Sequence, residues 1–357
     1  MLASDLLPRF GLAPGWPSLP IERLPKPLLC VPLVAQWMLL ALRHRSLTLP
    51  SAINPALETG GLAGESKSAA LAQIGPAFDG YVAAWRVVEP GADPIVVRRA
   101  AGFAYPIIAK PDIGWCGYGV CRIDDDTELL AYAAAFPPEG RIILQQRVLA
   151  PQEAGLFYVR EPGAASGVLT GVTVRHTPHV IGDGMNTLHA LITASPRAGR
   201  HAATTMARFD PTALAHVPAA GERVILTTIA SLRVGARYED ATSQVTPLLT
   251  ATVDAIARAM PDFHLGRFDV RFETMAALRR GEFQVIEVNG AGSEAIQFFD
   301  PALTLWAAFA GLFVKQSLLF RLGAAMRARG VRPVGVVGLS QSWLRQRRLI
   351  RAYPASN

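Results

Sequence analysis

The stretch FQVIEVNGAG, residues 283–292, decides the fold. It is apolar until its end, where a carboxylate, Glu287, and a carboxamide, Asn289, stand two positions apart. In a β-strand the side chains at i and i+2 leave the same face, so Glu287 and Asn289 point one way while Ile286 and Val288 point the other. Just upstream, FDVRF (268–272) reads as a second strand, joined through ETMAALRRG, whose end looks like a turn. Paired as an antiparallel hairpin, the two strands bring Arg267 and Asp269 onto one face with Glu287 and Asn289. Two carboxylates at one site are unfavourable unless a cation lies between them, and the hard cation that takes oxygen ligands is Mg2+. On these residues alone, an ordinary surface hairpin with Arg267 pairing Asp269 locally is the alternative.

A second cluster lies at Lys110. An apolar strand, YPIIA, delivers one lysine, and the loop DIGWCGYG follows with Gly114, Gly117 and Gly119, which let backbone amides approach a polyanion closely. The spacing is not that of a P-loop, and a glycine-rich hairpin with an incidental lysine remains the competing reading. Only four lysines occur in the chain, Lys26, Lys67, Lys110 and Lys315, so each is informative.

The 357 residues are long for one domain and imply two or three lobes. Half are apolar and 18% charged, which excludes a disordered chain. The formal charge of +7 is almost all arginine and does not by itself point to nucleic acid. Cys30, Cys116 and Cys121 make no C-x-x-C pair, so neither a disulfide framework nor a zinc site is indicated, and a cytoplasmic setting fits. LLCVPLVAQWMLLAL (28–42) is short for a membrane span and reads as a buried helix, with Arg43-His44-Arg45 leaving an interfacial role open.

Organisation along the chain follows from pattern changes. Residues 1–77 show one helix around Trp37 and a short helix in GESKSAALAQIG, capped by Ser66 or Ser68. Residues 78–150 alternate as a small α+β unit. Residues 151–300 form a larger unit with strands at GLFYVR, GVLTGVTVRH, HVIG, GRFDVRF and FQVIEV. Its helices are TLHALI and TPLLTATVDAIARAM, and in HVIGDGMNTLHALI the Asp183-Gly184 pair reads as a hairpin turn and Thr187 as a helix cap. Residues 301–357 are a helical tail, apolar at first and then rich in arginine. Ser293 is expected to cap a helix through Glu294, Ala295 and Ile296, with free amides facing the site.

Taken together, Lys110 with its glycine loop, V-I-G-D-G-M-N-T, GRFDVRFE and IEVNGAG resemble the ATP-grasp superfamily of carboxylate-amine ligases, with D-alanine:D-alanine ligase, cyanophycin synthetase and the glutathione-forming ligases among its branches. The resemblance covers roughly residues 60 to 300 and implies an α+β fold of two lobes clamping ATP, between a divergent N-terminal region and a helical tail. It implies phosphate contacts from Lys67, Lys110, Gly114, Gly117 and Gly119, nucleotide contacts from Gln145, Gln146, Val148 and Glu153, and Arg267 on the transferring phosphoryl group. Asp269, Glu287 and Asn289 would hold Mg2+, two ions with Mn2+ able to substitute, and Ser293 and Glu294 would lie beside the second substrate.

The activity so implied is ATP-dependent joining of a small carboxylate to an amine through an acyl phosphate, releasing ADP and phosphate. A phosphotransferase without ligation and a membrane-surface module with a structural nucleotide site are the rivals. Nucleic acid is not expected as a partner. Peripheral membrane contact and the oligomeric state stay open at this point.

Overall fold

The computed structural model describes residues 20–357 of the chain. The opening residues of the proline-rich lead, 1–19, lie outside the described residues. The N-terminal region supplies α1 (Lys26–His44) and α2 (Lys67–Ala72). Ser66 is the cap of α2, accepting from Ala69 N, as its position before the apolar run requires.

The small lobe is a four-stranded antiparallel sheet of β1 (Trp85–Val88), β2 (Ile107–Pro111), β3 (Cys121–Ile123) and β4 (Ile142–Gln146), in the order β1-β4-β2-β3. Two helices cover one face, α3 (Pro94–Ala100) and α4 (Asp126–Ala134), each capped by the aspartate before it, Asp93 and Asp125. Ile107, Ala109, Leu129, Tyr132 and Leu144 make that core. Because β2 alternates, Lys110 leaves by the opposite face.

The large lobe is built on a five-stranded antiparallel sheet. Its strands are β5 (Gln152–Val159), β6 (Val168–His176), β9 (Arg237–Asp240), β10 (Leu265–Phe272) and β11 (Gln284–Asn289), ordered β11-β10-β5-β6-β9. Between β6 and β9 sits a two-stranded ribbon, β7 (His179–Ile181) with β8 (Arg223–Ile225), carrying α5 (Leu188–Ala194), α6 (Ala202–Met206) and α7 (Pro211–Ala215). Asp183-Gly184 is therefore not a hairpin turn: β7 pairs with the distant β8, while Asp183 accepts from the amides of Met185 and Asn186. Thr187 does cap α5.

Helix α8 (Pro247–Ala259) closes one face of the large sheet, packing Leu249, Val253 and Ile256 on Leu156, Tyr158, Val172, Phe268 and Val270. The β10–β11 connection contains α9 (Met275–Arg279), capped by Thr274, in place of a plain turn. Along β11 strict alternation fails, since the register with β10 shifts between Asp269 and Val270. Val285 and Val288 are the buried pair, and Ile286 sits in the bulge between them.

The tail forms α10 (Leu305–Ala328) and α11 (Val336–Ala352). Leu312, Leu319, Phe320 and Leu322 of α10 are buried against the large lobe and the N-terminal region, so about a third of its apolar length is fully buried by packing while Trp306 stays exposed. Helix α1 lies along α10, with Gln36 donating to Phe313 O and Trp37 meeting Phe320 edge-on at 5.0 Å. The expected buried helix at 28–42 is instead largely exposed. Only Ala41 is buried, while Leu28, Val31, Val34, Leu39 and Leu42 lie bare. Both α1 and α10 are long and apolar enough to cross a membrane, by length and composition only.

Candidate active site

The cleft is a closed seam where β2 and β4 of the small lobe meet the β10–β11 hairpin, its side chains buried and bonded directly across it, while the open cavities lined by Val245 and Asp254, by His176 and Arg237, and by Glu58 and Arg345 lie elsewhere. The hairpin register places Asp269 opposite Glu287 and Arg267 opposite Asn289. Across the cleft, Nζ of Lys110 donates to Oε1 of Gln145 at 2.7 Å and to the carbonyl of Ile286 at 2.8 Å. The bulge explains the second bond, because it takes the Ile286 carbonyl out of the ladder and offers it to the lysine. Gln145 Nε2 also reaches Ile286 O, tying β4 to β11.

Lys67, on α2, enters from a third direction and places Nζ 3.1 Å from Oε1 of Glu287. Its backbone N bonds to Asp112 O, and Asp112 in turn accepts from Ser66 Oγ and Ser68 N, so α2 is fastened to the end of β2. The local pairing of Arg267 with Asp269 is present at 2.6 Å, and Arg175 bridges Asp269 and Glu153, each at 3.0 Å. Gly155 makes room for this layer, since a Cβ there would stand 2.8 Å from Cδ of Arg267.

These charges shift one another's protonation. Burial pushes Lys110 down to about 8, with the attraction of Glu287 opposing it. Burial opposes the charge of Glu287 too, but Lys67, Lys110 and Arg267 outweigh it and hold the carboxyl at about 2. Burial also works against the ammonium of Lys67, yet Glu287 and Glu65 together raise it above the usual value.

Three further residues belong to the site, and of these only Lys315 stands out in the sequence, by the scarcity of lysine. Arg175 neutralises Glu153 and Asp269; its alternation with Thr173 in VTVRH was the available clue. Glu65 accepts from Gly290 N at 3.2 Å and is pushed up to about 7 by burial. Lys315, in the helical tail, reaches Ala291 O at 3.2 Å beside Glu294, and burial lowers it to about 8.

Two expectations are corrected. Ser293 caps no helix: residues 293–295 are irregular, and a 3-10 turn begins only at Ile296 with no side-chain cap. The cause is the backbone beside it. Ala291 N and Gly292 N donate to Gly60 O and Gly61 O, so the loop is held against residues 60–61 and its amides are used rather than free. The Ser293 hydroxyl is buried without a partner, and Glu294 is exposed with its carbonyl accepting from Arg267.

The glycine loop is likewise not a cradle of open amides. Gly117 and Gly119 have positive φ of 73° and 71°, and Gly119 N is occupied by Ser356 Oγ. A Cβ at Gly117 would strike Ile229 at 2.6 Å, so that glycine serves a close approach to the large lobe. Gly114 lies over the Lys67 stem, its carbonyl accepting from Nζ at 3.4 Å. Val148 O accepts from Arg271, Gln146 N donates to Ala84 O, and Glu153 is already paired with Arg175.

Asp269, Glu287 and Asn289 thus present oxygens on one face of one hairpin. Among the described residues no group of three His, Cys, Asp or Glu is close enough to hold a metal. The donor set still suits Mg2+, which keeps several waters and phosphate oxygens and needs only one or two carboxylates.

No family model matches the chain, and no curated protein matches it. Among solved structures it is similar to a bifunctional glutathione synthetase from Pasteurella multocida, at 15% identity over 69% of this chain and 35% of that one, with a TM-score of 0.36. It is also similar to a D-alanine–D-alanine ligase from Bacillus anthracis, at 14% identity over 77% of this chain and 70% of that one, TM-score 0.42. A third is a D-Ala:D-Ser ligase from Enterococcus faecalis, at 13% identity over 74% and 63%, TM-score 0.41. All three likenesses are distant, and the chain spans about a third of the bifunctional enzyme's length. The α+β class expected from the sequence is the one observed, with two sheets facing across a cleft.

Proposed function

We propose that the chain is an ATP-dependent carboxylate-amine ligase. The observation that carries this reading is the meeting of Lys67 and Lys110, from separate elements, with Asp269, Glu287 and Asn289 on one hairpin. Cations and oxygen donors gathered in a cleft shielded from water suit a polyphosphate with its metal, and they stabilise charge where it develops during transfer.

In the reaction a carboxylate oxygen of the first substrate attacks the γ-phosphoryl group and ADP leaves. The amine then attacks the acyl carbon and phosphate leaves, giving an amide. Lys67 and Lys110 bind the phosphates, and Arg267 stands beside the transferring group. Asp269, Glu287 and Asn289 would hold Mg2+, or Mn2+ in its place, which supplies charge neutralisation at the phosphates when bound. Lys67, paired here with Glu287, would turn to phosphate when nucleotide binds, leaving Glu287 among the residues that would hold the metal. Gln145, Gln146, Val148 and Glu153 border the nucleotide, with burial pushing the Glu153 carboxyl up and Arg175 opposing that push. Ser293 and Glu294 face the amine substrate, where Glu294 favours a cationic or neutral acceptor. The reading places the enzyme in the cytoplasm.

The test is ADP release screened against amino acids and short peptides, with mass spectrometry of the products. An amide product with amine-dependent ADP formation supports the ligase. ADP formation independent of any amine, with a phosphorylated product, replaces it with phosphotransfer.

A further inference from the structure

Beyond α11 the chain runs through Tyr353–Asn357 into the seam between the lobes and is bonded to both. On the small-lobe side, Tyr353 OH donates to Ile113 O, and its ring stacks on Phe136 at 4.9 Å. Ser356 Oγ donates to Gly117 O at 2.8 Å and accepts from Gly119 N at 3.1 Å. Asn357 makes a reciprocal pair with Arg122, its Oδ1 accepting from Arg122 N at 2.8 Å and its Nδ2 donating to Arg122 O at 2.9 Å. Arg122 lies on β3, the edge strand of the small sheet, whose outward backbone groups would otherwise lack partners.

On the large-lobe side, Thr228 Oγ1 donates to Asn357 O at 3.0 Å, and Arg233 Nη2 reaches Ser356 Oγ at 3.3 Å. Arg233 also donates to Cys116 O and Gly117 O and lies 4.1 Å from the ring centre of Tyr118. The Cys116–Gly119 part of the glycine loop is therefore held by Arg233 and Ser356, while Gly114 at its start rests on Lys67. Tyr353 joins the core on the helix-covered face of the small sheet, opposite the face from which Lys110 leaves.

We propose that Tyr353–Asn357 is a latch that holds the glycine loop closed over the cleft, with Tyr353 and Ser356 as its positioning residues. A loop that must move to admit nucleotide is then restrained by a segment anchored in both lobes, and its closed state depends on α11. The fit of the glycines agrees. A Cβ at Gly119 would stand 2.7 Å from Cγ of Pro111 and 3.1 Å from Cβ of Tyr353, so the latch closes one side of a position that the end of β2 closes on the other.

Hydrogen exchange read residue by residue tests the latch without reference to the chemistry. Ser356→Ala, Tyr353→Ala and a chain ending at Ala352 are compared with the full chain. The amides of Gly119 and Arg122 should exchange about tenfold faster or more, while those of β10 stay as they were. Ser356→Thr and Tyr353→Phe, which keep the hydroxyl and the stacked ring respectively, should recover part of the protection. Affinity for a non-hydrolysable ATP analogue should fall in the same order as loop protection. Unchanged exchange over residues 113–122 in Ser356→Ala and Tyr353→Ala overturns the latch, as does faster loop exchange with unaltered analogue affinity. Failure of the full chain to bind the analogue at all overturns the ligase reading instead, and the exchange comparison then decides the latch by itself.

Discussion

Nζ of Lys67 lies 3.1 Å from Oε1 of Glu287, and this contact joins a helix of the N-terminal region to the strand that ends the large sheet. The pair is an internal counter-charge, with the lysine standing where phosphate oxygens would bind and the glutamate where a cation would. Glu287→Gln should cut Mg2+-dependent ADP release by about 100-fold or more, the usual scale for losing one preorganised charge. Lys67→Met should act mainly on the KM for ATP. Titrating Mg2+ in steady-state assays checks both, and an unchanged Mg2+ dependence in Glu287→Gln removes that residue from the metal set.

A second expectation concerns pH. Burial lowers Lys110 to about 8, so in the free enzyme the ammonium is lost as pH rises through 8 rather than through its ordinary 10.5. If its charge is needed for phosphate, kcat/KM for ATP falls above about pH 8. Stability should move the other way. The unfolded chain binds this proton more tightly, so the cost of burying the charge is fully present below pH 8 and is relieved as pH climbs toward 10.5. Lys110→Met should abolish the alkaline limb of the rate profile along with most activity. A profile flat to pH 10 counts against the assignment.

Asn54 offers a test of architecture alone. Its Oδ1 accepts from His264 N and Leu265 N, and its Nδ2 donates to Leu265 O and Gly60 O, all within a fully buried site. Asn54→Ala strands several backbone groups and should lower unfolding free energy by about 2–4 kcal/mol. Chemical denaturation reads this directly, and a loss below about 1 kcal/mol would mean that water replaces the amide.

The bare face of α1 gives a third kind of prediction. Leu28, Val31, Val34, Leu39 and Leu42 are exposed between Lys26 at one end and Arg43 and Arg45 at the other, with no acidic residue in the helix. That pattern suits an anionic lipid surface. Vesicles containing anionic lipid should sediment more protein than neutral ones, and Leu39→Glu with Leu42→Glu should abolish the difference. Equal sedimentation with both lipids would leave the face to another partner.

The hairpin, its facing carboxylates, Lys110 and the cap at Ser66 were legible because each rests on a short-range rule: strand alternation, residue scarcity or capping chemistry, whereas Lys67 is implied only by the resemblance. What was not legible depends on contacts far apart in the chain. The bulge that exposes the Ile286 carbonyl is a register shift between two strands, and the sequence of one strand does not encode it. Ser293 looks like a cap until the carbonyls of Gly60 and Gly61 claim the neighbouring amides. Arg175 reads as one arginine among many until the sheet order sets β6 beside β5. The exposed side of α1 is not legible because composition reports that a helix is apolar without reporting how much neighbouring surface is available to cover it.

The scarcity of lysine has a practical consequence. Three of the four, Lys67, Lys110 and Lys315, lie in or beside the cleft, and Lys110 and Lys315 are both lowered to about 8. Lys110 is buried, Lys315 half-buried, and both are hydrogen-bonded, so they should react with acylating reagents only as the seam opens, and so more slowly than Lys26 on its exposed helix end. Amine-directed labelling of this chain thus becomes a footprint of the cleft itself, read against Lys26 as the internal standard.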